Sequence, residues 1–440
     1  MKRRNRPLHR RAFLKHAGSA LAGLVAAPTF VPASALGRDR QRPAPSNRIT
    51  LGCIGVGGQG TSNLNNFLRL PEIQVVAVCD VDGERRDAAQ RRVVQNYRRG
   101  LRGGEAAACD AYNDFREVIA RDDIDALSIA VPDHWHAIPV IEAAKAGKDI
   151  YAEKPLALTI AQGRAMSDAV RRAGVVFQTG SQQRSDRNFR FACELVRNER
   201  IGRLERVEIG LPTGSRRATQ PVMEIPDGFD YEMWLGPAPR APYTQYRCHY
   251  EFRWILDYSG GQVTDWGAHH CDIAQWAMGT EASGPIEVEG EGDFPADGLY
   301  NAAVDYDFEC LYPSGATARV TNGLTNGLTF YGTEGEVFVT RGRISADPES
   351  LLTTQIGAGE IHLYESANHH RNFVECIRTR AETIAPIETA HRSITVAHLG
   401  NIAMRLGRRV RWNPEIERFV NDPEADRMLT RAMRSPWRLS

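Results

Sequence analysis

From Asn47 onward the chain alternates short apolar runs with stretches of helical period. "RITLGCIG" reads as a buried strand, "TSNLNNFLRL" as a helix and "IQVVAVCD" as a second strand. A polar helix with an irregular Gly/Arg-rich insertion follows over 83–108. The strand "DALSIAVP" and the helix "AIPVIEAAKAGK" come next, with Gly147 as the helix stop. "DIYAEKP", "IAQGRAMSDAVRRAG" and "VVFQTG" continue the pattern as strand, helix and strand. Strand–helix alternation of this kind predicts a parallel, doubly wound α/β sheet.

Past Gly180 the texture changes. "LERVEIGLP", "IEVEGEGDF", "AAVDYDFECLY" and "GATARVTNGL" alternate apolar and polar residues, as strands do when one face of their sheet is covered. This predicts an α+β domain with an antiparallel or mixed sheet. Its few helices are expected near 186–199 and 265–278, and at "HHRNFVECIRTR" and "TAHRSITVAHLGNIAMRLG". The tail from Asn413 is polar and turn-rich and is expected to wrap the surface. The division is a first domain over 47–180, a second over 181–385, and a C-terminal helix and tail over 386–440.

The first 35 residues change the picture of where the protein works. They hold seven Lys/Arg and no Asp or Glu, then the apolar stretch 17–27, then Ala33-Ser34-Ala35. That is the order of a signal peptide. The apolar run is shorter than the roughly 20 residues a membrane span needs, and no later run is long enough. "HRRAFLK" resembles a twin-arginine motif, whose pathway exports folded proteins, so a periplasmic location is expected. Residues 36–46 form a Pro-containing linker. Without the leader the chain is mildly acidic, and nothing suggests a nucleic-acid surface. The eight Cys show no C-x-x-C pair, which suits folding in a reducing compartment before export.

Gly55-Val56-Gly57-Gly58-Gln59-Gly60 fits G-x-G-x-x-G between a strand and a helix. In that context the first Gly permits the tight turn and the second lets backbone approach a pyrophosphate. The third allows close helix–strand packing. Asp80, at the end of the second strand, suits ribose hydroxyls and repels a 2′-phosphate. NAD is therefore favoured over NADP, although Arg85 and Arg86 stand close by.

"AEKP" (152–155), "VPDHWH" (131–136) and "GGQVTDWGAHHCD" (260–272) carry this from fold to family. Together they resemble the glucose–fructose oxidoreductase/inositol dehydrogenase/MocA (Gfo/Idh/MocA) family, over about residue 47 to the C-terminus. The resemblance implies a Rossmann domain and an open-faced sheet with substrate between them. It places the family's E-K-P lysine on Lys154 and its D-x-x-x-H pair on Asp265 and His269. In that reading His269 takes the substrate hydroxyl proton, Asp265 orients it or binds a neighbouring hydroxyl, and Lys154 stabilises the alkoxide or shares proton transfer. Which of Lys154 and His269 is the main base stays open. Pro132, His134 and Glu153 join the glycine loop, Asp80 and Lys154 as expected cofactor contacts. A metal site built from Asp265, His269, His270 and Asp272 is disfavoured, because His270 points about 100° round a helix from His269.

The stretches "GSQQRS" and "YEFRWILDYSGG" are rich in sugar-binding types. Trp135, His136, Gln183, Arg184, Arg253, Trp254 and His270 are the expected substrate contacts, with Trp254 stacking on a pyranose face. The resemblance implies a small polyhydroxylated substrate, and the export signal leads to the expectation that NAD is bound before export and recycled in place. An NAD-dependent glycosidase working through transient oxidation is the alternative, and a non-catalytic sugar sensor a third. The resemblance also implies a dimer or tetramer.

Overall fold

The computed structural model describes residues 47–100 and 108–439, with the side chains of residues 99 and 100 excepted. The expected leader and linker, and residues 101–107 of the insertion, lie outside the described residues.

Six strands build the first sheet: β1 (Ile49–Ile54), β2 (Ile73–Cys79), β3 (Asp110–Tyr112), β4 (Ala126–Ile129), β5 (Asp149–Ala152) and β6 (Phe177–Thr179). All pairs are parallel in the order β3-β2-β1-β4-β5-β6. The order reverses between β1 and β4, and an open α/β sheet holds its ligand in the crevice at such a switch point. β1, β4 and β5 are buried almost without interruption, as strands covered on both faces must be.

The second sheet has nine strands: β7 (Leu204–Gly210), β8 (Glu287–Gly292), β9 (Tyr306–Leu311), β10 (Thr317–Thr321), β11 (Gly327–Gly332), β12 (Glu336–Thr340), β13 (Arg343–Asp347), β14 (Val410–Asn413) and β15 (Arg418–Phe419). Their order is β13-β12-β11-β7-β10-β9-β8-β14-β15, and every pair is antiparallel except β7 with β10. The tail therefore does more than wrap the surface: its residues Arg418 and Phe419 pair with Asn413 and Trp412 and extend the sheet. Helices Arg187–Arg197, Gly267–Met278 and Ile387–Leu406 cover one face. The other face carries ion pairs such as Arg319–Asp307 and Arg409–Glu289.

The helix Ile387–Leu406 is buried along most of its length because it packs on both the second sheet and the helix Ile160–Ala173. Arg164 fixes that junction by holding Glu388 and Glu417 at 2.7 and 2.8 Å, with His391 on Glu417 at 2.7 Å.

Residues 211–258 have little regular structure and cross back over the first sheet. Gly228 O accepts from Gly83 N and Val81 O from Asp230 N, both at 2.9 Å, while Asn113 Nδ2 donates to Asp230 Oδ2 at 2.8 Å. This strap has its own apolar core, in which Phe229, Tyr231, Trp234 and Tyr258 are buried together with Tyr300 from beyond it.

Candidate active site

The glycine loop joins β1 to the helix Gly58–Leu68 and forms one wall of a cleft of about 420 Å³. Gly55 has φ +78°, and a Cβ there would lie 2.5 Å from Ala130 O. At Gly60 a Cβ would lie 1.9 Å from Gly55 O, so only glycine lets the helix pack this closely on the turn. Gly57 faces Arg85, whose Nη1 would be 2.6 Å from a Cβ, so a cation lies against backbone at the cleft wall. Those features fit the diphosphate of a dinucleotide.

Asp80 reinforces the loop it stands beside. Its Oδ2 accepts from Val56 N at 2.8 Å and its Oδ1 from Asp82 N at 3.0 Å. Burial pushes this carboxyl above its ordinary 3.8, against the pull of both amides. Each oxygen keeps acceptor capacity for ribose hydroxyls.

At the other end of the cleft, Glu153 and Lys154 leave the C-terminal end of β5. Glu153 Oε1 accepts from Asn63 at 2.8 Å and Gln59 at 3.1 Å, tying the floor to the loop's helix. Lys154 Nζ meets Asp265 Oδ1 at 2.5 Å, and Arg253 Nε lies 3.5 Å from Asp265 Oδ2. Burial opposes the charge on Asp265, but Lys154 and Arg253 outweigh it and hold the carboxyl below 3.8. A cationic Lys and Arg flanking one carboxylate in a cleft can stabilise negative charge developing on a substrate oxygen.

Residues 49–181 match the family model for the oxidoreductase family's NAD-binding Rossmann fold (GFO_IDH_MocA). Residues 213–439 match its C-terminal alpha/beta domain (GFO_IDH_MocA_C2). The chain belongs to the Gfo/Idh/MocA oxidoreductase family. It is an NAD-dependent oxidoreductase. The chain is 27% identical over 385 residues to myo-inositol 2-dehydrogenase of Thermotoga maritima, covering 84% of this chain and 98% of that protein. A shorter stretch of 168 residues is 34% identical to an alpha-N-acetylgalactosaminidase of Shewanella oneidensis, covering 35% of each. Among solved structures, the WlbA dehydrogenase of Bordetella pertussis, in complex with NADH and UDP-GlcNAcA, aligns with a TM-score of 0.61. The two are 19% identical over 83% of this chain and 99% of that one.

This Gfo/Idh/MocA site gathers Gly55, Gly57, Gly58, Gln59, Gly60, Asp80, Pro132, Glu153, Lys154, Trp135, Arg253 and Asp265 around one cleft. His269 does not line it. The imidazole is buried on the helix Gly267–Met278, and its Nδ1 has no hydrogen-bond partner among the described residues. Burial, with Lys154 and Arg341 nearby, pushes it well below 6.5, so it is neutral.

Several expected contacts are corrected. Arg184 is sealed in the core, where Asp272 holds it through two bonds at 2.7 and 2.9 Å. Trp254 is buried beside Tyr300 and presents no face to the cleft. His136 has one ring nitrogen 2.7 Å from Pro155 O and the other 2.7 Å from Val131 O, and whichever nitrogen carries the proton ties the loop to one of them. His134 Nε2 lies 3.0 Å from Trp234 O and His270 Nε2 2.7 Å from Asn326 Oδ1; neither ring lines the cleft. Gln183 is buried outside it as well. Among the described residues no cluster of His, Cys, Asp or Glu is arranged to hold a metal.

Sequence reasoning missed the strap residues Phe229, Met233, Trp234 and His249 and quoted Tyr250 and Phe252 only within a stretch; all six line the cleft. It also missed Asp133. The strap has no periodicity to find, but Asp133 sits inside a motif that had already been singled out.

Proposed function

We propose that this enzyme carries NAD as a resident group, oxidises a hydroxyl of a sugar, cyclitol or glycoside, and reduces a second carbonyl in the same site. The supporting observation is the strap. Gly228 and Asp230 bond to the backbone of Gly83 and Val81, immediately after the ribose-end carboxylate Asp80, so the second domain closes over the nucleotide end of the first. Bound NAD supplies a hydride acceptor at its nicotinamide ring. Lys154, fixed by Asp265, stabilises the substrate oxygen, and Arg253 binds a neighbouring hydroxyl.

The test is to purify the mature protein without added nucleotide, denature it and identify what is released by mass spectrometry and absorbance. Near-stoichiometric NAD or NADH is expected. Protein that emerges empty and binds NAD weakly overturns the recycling. The loaded protein is then mixed with a panel of myo-inositol, aldoses and aryl glycosides, and reduction of bound NAD is followed optically.

The glycosidase reading is supported by the stretch similar to the Shewanella galactosaminidase. Release of reducing sugar from an aryl glycoside without net NADH identifies it. Export by the twin-arginine route is supported by the eight cysteines, all buried and unpaired, which leave the fold independent of an oxidising compartment. Fractionation of cells expressing wild type and R10K/R11K chains tests it. The uncovered face of the second sheet supports a dimer or tetramer, to be measured by sedimentation.

A further inference from the structure

After the short helix Pro423–Arg427 the tail crosses back over the first domain, and two cavities lie beneath it. Ala161 N donates to Leu429 O at 3.0 Å and Arg434 N to Pro237 O at 2.8 Å, which ties the tail to the helix Ile160–Ala173 and to the strap. The larger cavity, of about 250 Å³, has apolar walls that include Leu158, Pro237, Ala238, Pro239 and Met433. Its polar groups are His134, Gln162, Asp257 and Arg431. The smaller, of about 20 Å³, shares Leu158 and Arg431 with it and adds Arg405 and Asn401. Neither shares a lining residue with the cleft. Apolar walls with a few converging polar groups are the usual make-up of a small-molecule site.

The two arginines here lack the partners that their neighbours have. Arg408 pairs with Asp422 and Glu424, and Arg434 holds Glu232 and the carbonyl of Gly236. Arg405 has no hydrogen bond or ion pair among the described residues, and Arg431 has only a bond to Leu256 O. Burial, and then repulsion by Arg405, push Arg431 down to about 10, so it stays charged at neutral pH. Asp257, the one acid lining either cavity, attracts Arg431 without coming within ion-pair distance. The lining therefore carries one positive charge more than it balances. An anion set against both guanidiniums offsets their repulsion and can accept from both.

The remaining polar groups lack donors. Burial pushes the His134 ring down to about 4, so it is neutral. Its Nε2 lies 3.0 Å from Trp234 O, which can only accept, so Nε2 carries the proton and Nδ1 is a bare acceptor. That Nδ1 and Gln162 Oε1 are both buried with no hydrogen-bond partner among the described residues, as is Asn401 Oδ1 in the smaller cavity. Such acceptors cost free energy until a donor reaches them. Water can bring the donors but not the anionic charge.

We propose that the larger cavity is a second binding site, for a small hydroxylated anion: a sugar acid or a sugar phosphate. The anionic group sits against Arg431 and Arg405, and hydroxyls donate to Gln162 and His134. The site stands back to back with the cleft, since Asp133 lines the one and His134 the other.

The test is calorimetric titration of the full-length, NAD-saturated protein with gluconate, glucose 6-phosphate and inorganic phosphate. Saturable binding of gluconate or glucose 6-phosphate, one molecule per chain, is expected. Arg431→Gln and Arg405→Gln should each weaken it about 10- to 100-fold, and Gln162→Leu about 3- to 10-fold. Lys154→Ala, a change confined to the cleft, should leave it unaltered. Tighter binding of gluconate assigns a sugar acid, and tighter binding of glucose 6-phosphate a sugar phosphate. No binding of either compound overturns the proposal, as does binding that is lost in K154A and kept in R431Q. Inorganic phosphate bound as tightly as both compounds means an adventitious ion only and overturns it too. Should R431Q fail to fold, R405Q and Q162L decide, because Arg405 makes no bond that the fold depends on.

Discussion

Asp265 and Asp272 stand seven residues apart on adjoining helical turns, and each is paired with a long basic side chain. Asp265 meets Lys154 through one oxygen and faces open volume. Asp272 meets Arg184 through both oxygens, takes a further bond from Ser393 at 2.8 Å, and both members of the pair are 3% exposed. Arg184 also holds Glu281 at 2.8 Å and lies over the Trp276 ring. The two pairs look alike in sequence. What separates them is whether any bonding capacity is left pointing at a space that a ligand can enter.

The largest effect that sharpens this contrast should come from the sealed pair. Arg184→Ala leaves a buried carboxylate without its partner, which costs about 3–5 kcal/mol. Urea unfolding should show that loss, and the double variant R184M/D272L should recover much of it. Lys154→Ala should do the reverse. Turnover of the panel compound should fall about 100- to 10,000-fold while the thermal midpoint and the NAD content hardly change. If K154A unfolds as readily as R184A, the distinction between site and scaffold is broken.

Acid and base should pull on the two kinds of carboxylate in opposite directions. Despite burial, His391 and Arg164 hold Glu417 at about 2, below its ordinary 4.5. Its contribution is therefore complete above 4.5 and is lost as pH falls toward 2. Asp133 is raised from 3.8 to about 7, so the folded state binds the extra proton and stability is lost as pH rises through that window. Thermal melts against pH should show E417Q losing part of the acid dependence, with Glu388 and the other lowered carboxylates keeping the rest. D133N should be more stable than wild type at pH above 7. The smallest effect belongs to the open sheet face, where Arg319→Ala breaks a half-exposed pair and should cost less than about 1 kcal/mol.

Much of the first domain was legible because each signal there is local. Gly55, Gly57, Gly60 and Asp80 are bound by the geometry of one turn, and alternation of strand and helix admits few topologies. Lys154 was legible through its motif and its place at a strand end. Arg184, His136 and Trp254 misled because residue type says what a side chain can bond and not which way it points. Arg184 found its partner 88 residues away and His136 found carbonyls on the turn after β5. Apart from the stretch that holds Arg253, the strap from 211 to 258 was invisible for a different reason. Its order comes from bonds to Val81, Gly83 and Asn113, more than a hundred residues back in the chain, which no window along the sequence can show.

The strap also fixes a sequence of events. Its bonds join residues 81–83 to 228–230, so they can form only once the chain has been made through residue 230, when the glycine loop has long been complete. On the proposal that NAD is resident, a nucleotide arriving in the interval would meet an open groove and one arriving later would have to wait for the closure to break. Occupancy in the mature population would then record the nucleotide supply at the time of synthesis and be blind to the supply where the protein ends up.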